Sequence, residues 1–269
     1  MRDESSRRDY KANSAYKRSL IYIPSSPPPF IRLRTKHEKA QIQMREILES
    51  NLEIIAHHFE IQHQNPYVDQ LNFQSTPTAP SYQVDLTLAV DFDQPSPLIS
   101  HLPRDFLERV KRDSGNFFSS SFTREQNDYI RSQPERVKDL IRLVKYWYKV
   151  DVPNLTRLPP AEVKFKSYLF ELLTIGVWRK FIKASEHFEM LKGFKTVLTA
   201  ITQHETMHLV VGDQDPAANI RNDRPLLVGP NNEYENVAKS GRNWKELSWI
   251  AHKTMNEANL RDVQPYSCF

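Results

Sequence analysis

An aspartate inside an apolar strand and a column of cations on a helix are the features of this chain best suited to chemistry. Asp85 lies within Val84-Asp85-Leu86-Thr87-Leu88-Ala89-Val90. Alternation at a period of two puts Val84, Leu86, Leu88 and Val90 on one face and turns Asp85 to the other. A carboxylate in mid-strand costs stability unless it meets water or a partner. A strand carboxylate can hold Mg2+ bridging phosphate oxygens; the competing reading is a residue on a solvated face. Asp91 and Asp93 follow, where they could cap or turn the chain or form a further metal pair. Beyond them Lys138, Arg142, Lys145 and Lys149 are spaced by four, three and four, which stacks them on one helical face. Cations so placed repel one another, and a triphosphate or a nucleic-acid backbone would compensate them. The nearby carboxylates Glu135 and Asp139 would do so as well. Arg131 and Arg136 extend the patch.

A third constellation competes with these. His204-Glu205-Thr206-Met207-His208 has the zinc-hydrolase spacing, in which two histidines on one helical face flank a general base. Val197, Ile201, His204 and His208 also form one helical stripe, so the histidines could simply finish an apolar face as hydrogen-bonded groups. Only Glu233 and Glu235 offer themselves as a third ligand.

The elements that must carry these residues can be read from pattern. Residues 1–19 are polar; Leu20-Ile21-Tyr22-Ile23 reads as a short strand stopped by Pro24 and Pro27-Pro28-Pro29. Residues 36–50 read as a helix, residues 52–61 as a helix end or a strand start, and residues 82–91 as a strand. The second half is helical. Pro134 suits a first helical turn and Glu135 the start of the dipole. Val137, Leu140, Ile141, Val144, Trp147 and Tyr148 then make a broad apolar face. Residues 164–183 read as a buried helix, 189–209 as another, and 244–255 as the last. This pattern predicts an α+β protein in three parts: an atypical segment over residues 1–35, a sheet-bearing part over 36–120, and a helical lobe over 121–269.

Composition narrows the partners. The 269 residues suffice for one large domain or two packed lobes. Apolar residues make up 39% of the chain, below the usual globular share, which predicts a polar surface. A net charge of +4 tolerates a nucleic-acid or polyphosphate partner without demanding one. The single cysteine, Cys268, excludes an intrachain disulfide framework and suits a reducing compartment. No apolar run approaches membrane length, and the Arg- and Ser-rich amino end has no signal-peptide hydrophobic stretch. A soluble protein of the cytoplasm is expected, with the nucleus as a second location and no membrane partner.

From about residue 40 onward the sequence resembles the 2'-5'-oligoadenylate synthase family. The resemblance rests on Pro134-Glu135-Arg136-Val137-Lys138-Asp139-Leu140-Ile141-Arg142-Leu143-Val144-Lys145-Tyr146-Trp147-Tyr148, on Leu158-Pro159-Pro160, and on Tyr168-Leu169-Phe170-Glu171-Leu172-Leu173-Thr174. It continues through Gly193-Phe194-Lys195-Thr196-Val197-Leu198, Arg224-Pro225-Leu226-Leu227-Val228-Gly229-Pro230 and Trp244-Lys245-Glu246-Leu247. It implies a polymerase-beta-like nucleotidyltransferase sheet with helices, present here in part, joined to a helical C-terminal lobe. It further implies ATP and Mg2+ as substrate and cofactor, double-stranded RNA as activator, and transfer of adenylyl units to a 2'-hydroxyl in antiviral innate immunity.

Residue by residue, the resemblance makes Asp85 the third metal-binding carboxylate, suited to activating the acceptor hydroxyl. Arg142 and Lys145 would grip the donor triphosphate. Ser167, where the family has glutamine, and Tyr168 would lie near the donor base. Arg131 matches a lysine on the RNA backbone, with Lys138 beside it on the basic helix, while Asn127 replaces an RNA-contacting arginine. The family's Gly-Ser phosphate loop and Asp-x-Asp pair have no match ahead of Asp85: the candidate positions are Lys17 and Ser19, and no glycine precedes Gly115. Impaired adenylyl transfer is therefore expected, since two-metal chemistry needs more than one carboxylate. A non-catalytic RNA- or nucleotide-binding protein is the second expectation and a zinc metallohydrolase the third.

Overall fold

A computed structural model of the chain describes residues 29–55, 58–65, 68–88, 111–112 and 122–267. The expected strand at residues 20–23 and the pair Asp91 and Asp93 lie outside the described residues, as do residues 115–121 at the boundary expected between residues 36–120 and 121–269.

The first element, α1 (Pro29–Ile55), is a helix longer than the 36–50 expected. Its first residue is the last of the proline run: a missing N–H is harmless in the first turn, so Pro29 starts the helix rather than only ending what precedes it. Strands β1 (His58–Asn65), β2 (Val68–Gln74) and β3 (Tyr82–Leu86) follow as an antiparallel sheet in the order β1-β2-β3. Register makes this sheet two-faced. Phe59, Phe73 and Tyr82 are opposite one another across the strands, as are Ile61, Leu71 and Val84. The Phe73 and Tyr82 rings lie 5.7 Å apart. Glu60, Asn72 and Gln83 make a polar row, and Gln70 faces Asp85. Asp85 does point away from the apolar face, as alternation requires. Strand β3 ends at Leu86; the expected end at residue 91 lies outside the described residues.

The helical lobe starts with α2 (Thr123–Arg131) and α3 (Glu135–Tyr146). A π-helical turn (Trp147–Asp151) leads into α4 (Val152–Leu155). Then come α5 (Ser167–Phe181), α6 (Met190–Thr202), the parallel pair β4 (His208–Val210) and β5 (Leu226–Val228), and α7 (Trp244–Met255). Helix α5 is the hub. From Leu172 to Trp178 every residue is buried, as the unbroken apolar run predicts. Val137, Leu140, Ile141 and Val144 of α3 belong to the same core as Val197, Leu198 and Ile201 of α6 and Leu247 and Ile250 of α7. Gly176 lets α5 approach β4 closely: a Cβ there would stand 3.3 Å from that of Leu209.

One element is corrected. The helix expected over residues 189–209 ends at Thr202; a 3-10 turn (His204–Thr206) then swings the chain into β4. Leu209 and Val211 are both buried, and β4 takes its ladder from β5. Two β-branched valines around Leu209 fit a short buried strand better than a helix end.

Candidate functional site

The cations of α3 sit where its amphipathic pattern leaves them. With Val137, Leu140, Ile141 and Val144 inward, the polar residues form an outer ledge. Glu135 lies between two of them: Lys138 Nζ is 2.9 Å from its Oε2 and Arg142 Nη1 is 2.9 Å from its Oε1. Arg142 also donates to Asp139 Oδ1 at 2.5 Å. These hydrogen bonds, from Lys138 first and Arg142 second, hold the Glu135 carboxyl below its usual range, and the two acceptors raise Arg142. Lys138 also donates to the Arg131 carbonyl at 3.4 Å, so it reaches the end of α2, where the Arg131 side chain is 3.5 Å from Asp128.

Lys145 turns the other way. Its Nζ is 2.5 Å from Glu171 Oε1 on α5, across the helix pair. One turn earlier on α5 stand Ser167, exposed as the first helical residue, and Tyr168. The Tyr168 hydroxyl lies beneath the turn after β5, where a Cβ on Gly229 would meet it at 3.1 Å. Burial pushes its pKa up, with Glu235 and Glu171 adding to the effect. Glu235, on the segment after β5, is itself raised by burial, against the pull of Lys166 and a hydrogen bond from Asn232. Nearby, Asn236 pins β5 by accepting from Leu227 N at 3.0 Å and donating to the Pro225 carbonyl at 2.9 Å.

The structure therefore gathers Lys145, Glu171 and Tyr168 at the junction of α3 and α5, with Arg142 one turn back and Ser167 next to Tyr168. It also ties Lys138 to the end of α2 at Arg131. Glu171 was missed by sequence reasoning, although a lone acid in Leu169-Phe170-Glu171-Leu172-Leu173 is a signal of a partner, because an unpaired carboxylate beside a core is costly. Asp85 lies on the three-stranded sheet, exposed, its Oδ1 accepting from Gln70 Nε2 at 2.9 Å. Among the described residues no group of three or more His, Cys, Asp or Glu side chains could hold a metal ion. Asp85 with an amide neighbour is not a two-metal donor set, so no catalytic step through Mg2+ is derived from it.

The zinc reading loses its premise. His204 and Glu205 lie on the 3-10 turn and His208 opens β4, so the two histidines do not share a helical face. His204 is buried, its Nδ1 3.2 Å from the Ile201 carbonyl and its ring stacked on Trp244 with centroids 5.8 Å apart. It packs as a core histidine.

A helical lobe with a cationic ledge at the α3–α5 junction, preceded by a small antiparallel sheet, defines the class of protein. Residues 102–267 match the family described as "2'-5'-oligoadenylate synthetase 1, domain 2, C-terminus", and the chain belongs to the 2'-5'-oligoadenylate synthase family. It is 31% identical over 172 residues to 2'-5'-oligoadenylate synthase 2 of Bos taurus, an alignment covering 56% of this chain and 23% of that protein. To 2'-5'-oligoadenylate synthase 1A of Rattus norvegicus it is 30% identical over 143 residues, 49% of this chain and 38% of the relative. To 2'-5'-oligoadenylate synthase-like protein 1 of Mus musculus it is 29% identical over 158 residues, 53% and 29% of the two chains. The matched regions thus span less than two fifths of each of these curated relatives.

Proposed function

We propose that this chain is a 2'-5'-oligoadenylate synthase-like protein whose helical lobe grips a nucleoside triphosphate and double-stranded RNA, and whose own adenylyl transfer is impaired. Arg142 and Lys145 hold the ATP phosphates, Ser167 and Tyr168 stand beside the base, and Arg131 with Lys138 meets the RNA backbone. The protein works in the cytoplasm, in antiviral defence. The observation that carries this reading is the convergence of Lys145, Glu171 and Tyr168 at one helix junction, one turn from Arg142. A fork-shaped guanidinium and a point-charge ammonium one turn apart on α3 suit a polyphosphate. The weak turnover follows from Asp85, a single carboxylate among the described residues where two metal ions need several oxygen ligands.

The test is binding and turnover on the same sample. With Mg2+ and double-stranded RNA, ATP should bind while 2'-5'-linked product stays at the no-enzyme level. Arg142→Ala and Lys145→Ala should each weaken ATP binding about tenfold, the scale of one charge-assisted contact. Lys138→Ala should lower the salt slope of RNA binding by about one. Unchanged ATP affinity in both phosphate-site variants would remove the reading, and abundant product would remove its catalytic half.

A further inference from the structure

Three of the ledge's cations, Lys138, Arg142 and Lys145, are already paired, with Glu135, Asp139 and Glu171. A polyphosphate that binds one of these three shares it with, or takes it from, a carboxylate already in place. The exchanges are not equivalent. Glu135 and Asp139 are 65% and 51% exposed and Arg142 is 63% exposed, so water screens those pairs and compensates their opening. Lys145 and Glu171 are 28% and 18% exposed. Their bond is short, and the carboxylate stands on the rigid, buried helix α5, with Tyr168 one turn before it. Water screens this pair much less. An ammonium has three N–H donors and Glu171 takes one, so a phosphate that binds Lys145 shares its nitrogen with the Glu171 carboxylate.

We propose that Glu171 is a built-in competitor for polyphosphate: it positions Lys145 and sets how weakly the ledge holds a triphosphate. This deepens the proposed function and rests on Lys145 being a phosphate contact. Glu171 touches no reacting atom and acts through Lys145 alone. Charge, rather than shape, is what it contributes, so Glu171→Gln, which keeps an acceptor oxygen at the same reach, is the informative change.

The experiment is titration of the full chain with inorganic tripolyphosphate, with Mg·ATP, and with adenosine as an uncharged control, followed by thermal melts of every variant. Glu171→Gln should bind tripolyphosphate about tenfold more tightly, the scale set by removing one like charge from a partly shielded site. It should leave adenosine affinity within twofold, which separates a charge effect from repacking. Glu171→Asp, whose carboxylate is retracted from Lys145, should fall between wild type and Glu171→Gln. The double variant Lys145→Ala/Glu171→Gln should gain less than Glu171→Gln does alone, because part of the gain depends on a freed ammonium. Tripolyphosphate affinity unchanged or weakened in Glu171→Gln, while Lys145→Ala weakens it, would overturn the competitor role and leave the phosphate site standing. No response to Lys145→Ala would remove the phosphate site itself. If Glu171→Gln melts too low to titrate, Glu171→Asp and the salt dependence of wild-type tripolyphosphate binding carry the decision. Affinity in Glu171→Asp at or below the wild-type value would then overturn the proposal.

Discussion

The three-stranded sheet and the helical lobe both present one polar and one apolar side, and among the described residues the lobe buries its apolar side more deeply. In the sheet, Tyr82 is 51% and Val84 38% exposed, while Leu71 is buried. In the lobe, Leu169, Phe170, Leu172, Leu173 and Ile175 of α5 are fully buried, with α3, α6 and the β4–β5 pair packed against the helix. A sheet gains from burial when a layer covers its apolar face, and α5 is covered along its middle, from Leu172 to Trp178. The cations of α3 therefore stand on a deeply packed support, while the described apolar neighbours of Asp85 on β3 are more exposed.

The largest expected effect makes that contrast quantitative. Phe170→Ala should destabilise the protein by about 3–5 kcal/mol, the range for emptying a sealed aromatic site. Val84→Ala, on the open sheet, should stay within about 0.5 kcal/mol, as exposed substitutions do. Chemical denaturation monitored by tryptophan fluorescence reads the lobe, since Trp147, Trp178, Trp244 and Trp249 all belong to it or pack against its core, and amide hydrogen exchange along β2 and β3 reads the sheet. Comparable losses at the two sites would mean that the sheet's apolar face is covered as tightly as α5.

The next effect tests the electrostatic ties inside the lobe. Glu246 is buried at the start of α7, accepting from the Arg157 backbone N–H at 2.8 Å and from its Nη2 at 2.7 Å. Arg157 also lies over the Trp249 ring at 3.9 Å. Hydrogen bonding from Arg157, ahead of all other causes, lowers the Glu246 pKa. A depressed carboxylate contributes stability that is present above its unfolded pKa and is lost as pH falls through the folded value. Glu246→Gln should therefore cost about 1–3 kcal/mol at neutral pH and progressively less on acidification. Equal costs at about pH 7 and about pH 3 would assign the loss to packing. A smaller effect follows at the same helix: Asn243 caps α7 by accepting from Glu246 N while its φ is 66°. Asn243→Ala should cost about 1–2 kcal/mol and Asn243→Gly only a few tenths, since glycine suits the left-handed conformation and alanine does not. Thermal melts of the two variants decide this, and similar losses would mean that the side-chain cap outweighs backbone conformation.

Much of the lobe was legible because its elements carry strong local signals. Pro134 and Glu135 mark the start of α3, the unbroken apolar run marks α5, and the 244–255 pattern matches α7. The α6 end was not legible: the stripe Val197, Ile201, His204, His208 continues the helical period, and only the pairing of β4 with β5, a contact distant in sequence, breaks it. The same override separated the two histidines. Along α3 the cations were readable from spacing, and so were Glu135 and Asp139 as compensating charges. Glu171 was not, because its partner lies on another helix and periodicity within one helix carries no information across the pair. Alternation placed Asp85 on the polar face correctly, but the register that sets Gln70 opposite it comes from β2.

The smallest effect concerns a cost inside the lobe that the sheet does not bear. Glu235 has its pKa raised chiefly by burial, with Lys166 and Asn232 only partly offsetting it, and it lies close enough to Tyr168 to help raise that hydroxyl as well. A carboxylate raised on folding favours the folded state most when protonated; its contribution is fully present below the unfolded pKa and is lost as pH rises through the folded value. Ionising Glu235 in the folded lobe therefore costs more than ionising it in the unfolded chain, which water solvates. Glu235→Gln removes the charge and keeps an acceptor for Asn232. The variant should match wild type at acid pH and melt above it as pH rises through the raised Glu235 pKa. A Glu235→Gln variant that melts below wild type at the higher pH would show that the ionised carboxylate is held by partners stronger than burial, and that the lobe tolerates buried charge as readily as the open sheet does.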